Sequence, residues 1–243
     1  MDALIVGAGT MGRWFAGVID GAGTTLAFAD LDSEAARAAA EAHGGRAVSP
    51  DTDDGFDLVC LAVPIPAVED AIERYEPIAM SAIVDCSGVM STPVTAMAEH
   101  APDRERASLH PLFAPENAPG NVAIVEEGGP LVERLRERLE ERGNVLVETT
   151  PEEHDRAMET IQTKTHAAIL AYALAAEEVP TGFETPISAG LGDLVDRVTD
   201  GNPHVYADIQ ETFAGAEAVA DAATRIAEAD REAFEALYRE AGR

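Results

Sequence analysis

The chain has 243 residues, enough to bury a substantial core in one large domain or two modest ones. It carries 45 acidic against 17 basic side chains, a formal net charge of -28, and Lys164 is its only lysine. A nucleic-acid partner is disfavoured, because a phosphate backbone needs a basic face; no apolar run approaches the ~18 residues of a membrane span.

The acids are spread along the chain rather than gathered into a tail, which argues against a disordered acidic segment. Excess acid with lysine almost purged reads as a halophilic, cytoplasmic protein from a GC-rich genome. At molar salt the Debye length is about 3 Å, so the self-repulsion is screened; at low salt it should destabilise the fold. Cys60 and Cys86 lie in apolar runs and read as buried free thiols, with neither a disulfide framework nor zinc-ligand spacing. The first strand begins at once, so no signal peptide is expected.

Leu4-Ile5-Val6 is a short apolar strand, and Gly7-Ala8-Gly9-Thr10-Met11-Gly12 follows directly. Residues 13–19 continue at helical spacing. In such a strand–turn–helix unit Gly7 makes the tight turn, Gly9 lets a pyrophosphate approach the backbone, and Gly12 lets helix and strand pack closely. The helix N-terminus offers N–H groups and the positive end of its dipole to the phosphates. Leu26-Ala27-Phe28-Ala29 reads as the second strand, and Asp30 ends it; a carboxylate there accepts both ribose hydroxyls and repels a 2′-phosphate.

Ser33 to His43 predicts an alanine-rich helix. Residues 58–63 form a continuous apolar strand, the mark of a parallel sheet covered on both faces. Pro64 and Pro66 stop it and open a helix through Tyr75. Residues 82–86 and 107–110 are further strands around a short helix from Pro93 to His100. Residues 122–125, a charged helix from Gly129 to Arg142, and residues 145–148 complete an α/β, Rossmann-type doubly wound sheet over residues 1–150. Thr150-Pro151-Glu152-Glu153 reads as a helix start with a capping box. From there, helices are expected over about 151–178, 187–199, 203–213 and 215–241. They make a small all-α C-terminal domain, 151–243, for substrate binding and dimerisation.

His110 ends a strand, where ligands of open α/β sheets bind, and can act as acid or base near neutral pH. A solvated loop histidine is the plain alternative; beside a nicotinamide site the functional reading takes precedence. His154, Met158, Gln162 and His166 recur every four residues on the long helix. His154 and His166 stand too far apart to share a metal ion, and no metal is expected. Gln162 and His166 read as ligand contacts, His154 and Asp155 as structural residues. Arg197 stands among Asp193, Asp196 and Asp200, where a solvated ion pair is the plain reading.

The chain resembles prephenate dehydrogenase over nearly its whole length. The resemblance rests on Gly9-Thr10-Met11-Gly12-Arg13, Val63-Pro64-Ile65, Asp85 with Pro93 and Ala96-Met97, and His110-Pro111-Leu112-Phe113. It continues through His154-Asp155, Met158, Ile161-Gln162, His166, Pro186-Ile187, Arg197 and Tyr206-Ala207-Asp208-Ile209. It implies NAD-dependent oxidative decarboxylation of prephenate to 4-hydroxyphenylpyruvate in tyrosine biosynthesis. His110 is then the catalytic base, and Arg197, His166, Gln162 and Ser87 contact substrate. Gly7, Gly9, Thr10, Met11, Gly12, Asp30, Val63 and Pro64 hold NAD, and the C-terminal helices form a homodimer. Two departures stand out. Many family members carry a serine that orients the histidine and, two residues on, a lysine; here Gly88 and Met90 hold those positions, with Ser87 one residue early. Ala189 stands where fused members often have a further arginine. Arogenate dehydrogenase, a related β-hydroxy-acid or imine reductase, and a catalytically weak NAD-binding regulatory protein remain the alternatives.

Overall fold

A computed structural model describes residues 1–21, 23–180 and 182–242. The chain divides into two compact units, Met1–Asp155 and Arg156–Arg243.

The first unit alternates strands and helices: β1 (Asp2–Val6), α1 (Thr10–Ile19), β2 (Thr25–Ala29), α2 (Ser33–His43), β3 (Arg46–Ala47), β4 (Phe56–Leu61), α3 (Val68–Tyr75), β5 (Ala79–Asp85), α4 (Ser91–His100), β6 (Glu105–Pro111), β7 (Asn121–Glu127), α5 (Pro130–Glu141) and β8 (Val145–Glu148). Short 3₁₀ turns at Ile65–Ala67, Glu76–Ile78 and Pro115–Asn117 link some of them. The strands form one sheet in the order β3-β2-β1-β4-β5-β6-β7-β8. Neighbours run parallel except β6 and β7, which pair antiparallel. Strands that alternate with helices are joined by crossovers. The segment between β6 and β7 is too short for one, since a parallel return needs a dozen or more residues.

The central strands are apolar on both faces because helices cover both. Ala3, Leu4, Ile5, Val59, Cys60, Leu61, Ile83 and Val84 are all fully buried. Phe15 and Ile19 of α1 and Val132, Leu135 and Leu139 of α5 join one cluster with alternate residues of these strands. Burying each large side chain contributes about 1.5–3 kcal/mol. Strand order reverses at β1, which lies between β2 and β4, so a crevice opens at the carboxyl ends of these strands.

The remaining helices are α6 (Pro151–Met158), α7 (Thr165–Ala175), α8 (Pro186–Thr199), α9 (Pro203–Thr212), α10 (Ala216–Glu228) and α11 (Arg231–Ala241). Two expected helices are interrupted. Between α6 and α7 the chain takes a π-helical turn, Glu159–Lys164. The expected 215–241 helix breaks at Ala229, whose backbone is extended, and Asp230 caps the N-terminus of α11 by accepting from the Ala233 N–H. Among the described residues, no helix is long and apolar enough to cross a membrane.

Candidate active site

The glycine turn has the shape its sequence implies. Gly7 has a φ of +94°, and a Cβ there would fall 2.2 Å from the Ala62 carbonyl oxygen. A Cβ on Gly12 would fall 1.9 Å from the Gly7 carbonyl oxygen, so α1 and β1 can close only on glycine. A Cβ on Gly9 would meet nothing within 4 Å, so open space lies on the side where a pyrophosphate must approach. Gly9 is the N-cap of α1 and makes no side-chain cap, and Thr10 and Met11 open the helix.

Asp30 ties this turn to the end of β2. Its Oδ2 accepts from the Ala8 N–H at 2.7 Å and its Oδ1 from the Asp32 N–H at 2.8 Å. A carboxylate has about four lone-pair sites, so two bonds leave capacity for ribose hydroxyls. Arg13 turns back on the loop, donating to the Ala8 carbonyl at 2.9 Å. Val63 and Pro64 follow the end of β4, beside Gly7. A cavity of about 850 Å³ runs from Ala8, Gly9 and Thr10 past Trp14 and Ala35 to Arg142. His110 does not line it; the histidine lies farther along the sheet, on β6.

His110 is nearly buried, and so is His154. Their rings meet edge to face with centroids 5.1 Å apart, and His110 Nδ1 lies 2.8 Å from His154 Nε2. His154 Nδ1 lies in turn 2.7 Å from Asp155 Oδ1. The two oxygens of Asp155 also accept from the backbone N–H groups of Met90 and Ser91, each at 3.0 Å, where α4 begins. Burial, reinforced by His154 and opposed by Asp155, lowers the His110 pKa from 6.5 to about 3. Its imidazole is therefore neutral across the working pH range. Burial alone would raise the Asp155 carboxyl, but the hydrogen bonds from His154, Ser91 and Met90 hold it below the usual value.

Asp85 ends β5, fully buried, in register with Ser108 of β6. Burial pushes its pKa up to about 6, against the hydroxyls of Ser108 and Ser87 and the charge of His154. The Ser87 hydroxyl donates to Asp85 Oδ1 at 2.6 Å, and the Ser87 N–H donates to the same oxygen at 2.7 Å. Ser87 is thus committed to Asp85. Gly88 is the residue against the histidine: its φ is +92°, and a Cβ there would lie 3.4 Å from His110 Nε2.

In the second unit, Gln162 and buried Thr163 lie in the π-helical turn, and the Gln210 side chain donates to the Thr163 carbonyl at 3.1 Å. Eight residues of α-helix would turn His166 about 80° from Met158; a π turn absorbing about one residue reduces this to about 20°. The His166 ring packs edge to face on Tyr206 at 4.8 Å, and burial lowers its pKa. Arg197, in the last turn of α8, is exposed; among the described residues it makes no ion pair, so Asp193, Asp196 and Asp200 leave its guanidinium available. No group of three or more His, Cys, Asp or Glu among the described residues is placed to hold a metal ion.

The His110–His154–Asp155 chain was not legible in the sequence as a functional group. Its contacts span 44 residues between the histidines and 64 to 65 between Asp155 and the start of α4. The available signal was a His-Asp pair at the start of a helix.

Residues 150–239 match the family described as prephenate dehydrogenase, dimerization domain. Over that segment the chain is similar to prephenate dehydrogenases. It is 28% identical to a 4-amino-4-deoxyprephenate dehydrogenase of Streptomyces pristinaespiralis, the match covering 98% of this chain and 88% of that protein. It is 24% identical to a probable arogenate/prephenate dehydrogenase of Methanocaldococcus jannaschii, covering 86% of this chain and 51% of that protein. It shares the fold of a crystal structure of prephenate dehydrogenase from A. aeolicus in complex with hydroxyphenyl propionate and NAD+. That match has a TM-score of 0.67 at 19% identity and covers 100% of this chain and 92% of that one.

Proposed function

We propose that the protein catalyses NAD-dependent oxidative decarboxylation of prephenate to 4-hydroxyphenylpyruvate in tyrosine biosynthesis, as a cytoplasmic enzyme. The observation that carries this reading is a nearly buried histidine at the carboxyl end of a strand, its pKa lowered by that burial, in a unit that also carries a dinucleotide-type glycine turn. Gly7, Gly9, Thr10, Met11, Gly12, Val63 and Pro64 would hold NAD, with Asp30 accepting from its adenosine ribose. The bound nicotinamide supplies a hydride acceptor for C4 of the substrate. His110 accepts the proton of the C4 hydroxyl, and CO₂ leaves as the ring becomes aromatic. Arg197 suits a substrate carboxylate, since its planar fork can donate two parallel hydrogen bonds. His166 and Gln162 are assigned to the same substrate. Ser87 acts through Asp85, fixing the turn that presents Gly88 to the base.

The dimer belongs to this reading. α7 is apolar around its whole circumference, yet only Ile169 is buried, while Leu174 is 89% and Tyr172 37% exposed. Phe183 and Ile187 are also bare. A helix apolar all round is ordinarily buried, and a second copy of the chain would bury it.

The same reading extends to substrates that differ from prephenate in one substituent. The Streptomyces relative is named for 4-amino-4-deoxyprephenate and the Methanocaldococcus relative for arogenate or prephenate. Steady-state NADH formation at molar salt with prephenate, arogenate and 4-amino-4-deoxyprephenate, each with NAD and NADP, tests the assignment. Highest kcat/KM for prephenate with NAD is expected. A higher value for another substrate, or equal efficiency with both cofactors, would replace that part of the reading. No turnover with any of them would favour a regulatory NAD-binding protein.

A further inference from the structure

The backbone groups of Met90 and Ser91 are N–H groups and can only donate, so both Asp155 oxygens act as acceptors. The Asp155 carboxyl is held in its ionised form by these bonds, and an ionised carboxylate has no hydrogen to give. His154 must therefore carry its hydrogen on Nδ1, the nitrogen 2.7 Å from Asp155. Where the His154 ring is uncharged, a hydrogen on Nδ1 leaves a lone pair at Nε2. The contact at 2.8 Å between His154 Nε2 and His110 Nδ1 then requires His110 to donate from Nδ1. The lone pair of His110 is left at Nε2, the nitrogen that faces Gly88.

We propose that His154 is the positioning residue of the base, holding His110 in the tautomer protonated at Nδ1, with Asp155 and the start of α4 fixing His154 in turn. The proposal rests on His110 being the base for its kinetic consequence, but not for its structural content. Whatever touches His110 Nε2 must bring a hydrogen to it, and a substrate hydroxyl does so. When that proton arrives, the hydrogen on Nδ1 remains shared with His154, and the new positive charge lies one imidazole away from the Asp155 carboxylate. No proton leaves the group in this step. The charged groups facing the pair are Asp155 on α6 and Asp85 at the end of β5. The arrangement also accounts for the departure at position 88. The ring is held through Nδ1 by a residue 44 positions away, so no serine is needed at Nε2.

The direct test is ¹⁵N NMR of the full-length protein labelled at histidine, at pH 8 and molar salt, with the His110 signals assigned by their loss in His110→Ala. The expected spectrum has a protonated Nδ1 and an unprotonated Nε2 on His110. In His154→Leu the ring should drift toward the Nε2-protonated form that free imidazoles prefer. A wild-type His110 protonated at Nε2, or a tautomer unmoved in His154→Leu, would overturn the proposal. The wild-type spectrum decides by itself if the leucine variant does not fold. Kinetics supply a second readout. His154→Leu, which cannot accept, should lose on the order of 10²–10⁴-fold in kcat with the KM for substrate unchanged. His154→Gln, whose amide oxygen can accept from Nδ1, should recover at least part of the loss. Equal losses in both variants would reduce His154 to packing. If the protein turned over none of the three substrates, the assigned reaction would fall, and the nitrogen shifts would still decide the role of His154.

Discussion

Replacing Asp85 by Asn should stabilise the protein increasingly as pH rises. The folded state holds the Asp85 proton up to about pH 6, against an ordinary carboxylate value of 3.8, because the group is fully buried. Between those values the folded chain binds a proton that the unfolded chain has lost. Its contribution to stability is therefore complete below about pH 4 and is lost as pH rises through 6. The difference of about two units corresponds to about 3 kcal/mol between pH 4 and pH 8. An amide at position 85 does not titrate, and its oxygen can still accept from the Ser87 N–H and hydroxyl. The stability of Asp85→Asn minus that of wild type should thus grow by about 3 kcal/mol over the interval, whatever constant offset the substitution adds. Chemical denaturation of both proteins at a series of pH values in constant molar salt measures this, with surface charges screened equally. His110 titrates in the opposite sense, losing stability as pH falls from 6.5 toward about 3, but it is common to both proteins and cancels in the difference. A stability difference independent of pH, or one that shrinks as pH rises, would refute the reasoning.

His110→Ala should lower turnover by ~10²–10⁴-fold while NAD affinity, followed by fluorescence titration, holds; near wild-type turnover would show that another group is the base. Gly88→Ser, which restores the serine many family members carry, should lower both stability and kcat. A left-handed φ of +92° costs a side chain about 1–2 kcal/mol, and its Cβ would lie 3.4 Å from His110 Nε2. A gain in kcat would show that the ring has room for it. Arg197→Ala should raise the KM for prephenate about ten- to a hundredfold with NAD affinity intact, the scale of a charge-assisted bond worth roughly 1.5–3 kcal/mol. Arg197→Lys should recover only part, and an unchanged KM would return the residue to the surface. Thermal melts should rise steeply from dilute buffer to molar salt because of the -28 net charge; a salt-independent Tm would contradict the halophilic reading.

The parts of the fold legible in the sequence were those specified by neighbouring residues. The run from Leu4 to Gly12 encodes a strand, a turn and a helix start within nine positions, and each glycine answers to a steric demand within that span or on the adjoining strand. The α2 helix fell within its expected bounds because Asp32 caps it and Gly44, in the left-handed region, ends it. The π-helical turn had no such signal. Nothing in Glu159–Lys164 departs from helical composition, and the turn is braced from elsewhere in the second unit, by Gln210 on α9. The break before α11 was missed because Ala229 is a good helix former, and only the capping aspartate marks the boundary. At the site, sequence pointed to His110 but supplied Ser87 as its neighbour. The backbone turns at Gly88, so Ser87 points to Asp85 and the residue without a side chain meets the imidazole.

The same carboxylates that give the chain its charge are distributed so as to leave one helix start open. In the first unit α2 is capped by Asp32, and α3 opens with Glu69 and Asp70. Asp155 accepts from the two N–H groups at the start of α4, and Glu105 from those of Leu131 and Val132 at the start of α5. α6 opens with Glu152 and Glu153. Among the described residues, and of the helices that begin in this unit, α1 alone has no acid in its first turn and no side chain bound at its cap. On this turn Asp30 accepts from the Ala8 N–H, ahead of the helix. The orphan N–H groups and the positive dipole end of α1 thus remain for an anion, at a point where a Cβ on Gly9 would meet nothing. Such contacts act over a few ångströms, whereas the repulsion of an anionic ligand by the whole protein acts over tens. At molar salt the Debye length is about 3 Å, so the long-range field is erased and the contact field survives. A protein with 45 acids can therefore keep a local anion site beside Arg13 and Arg142, provided its acids cap the other helices and spare this one.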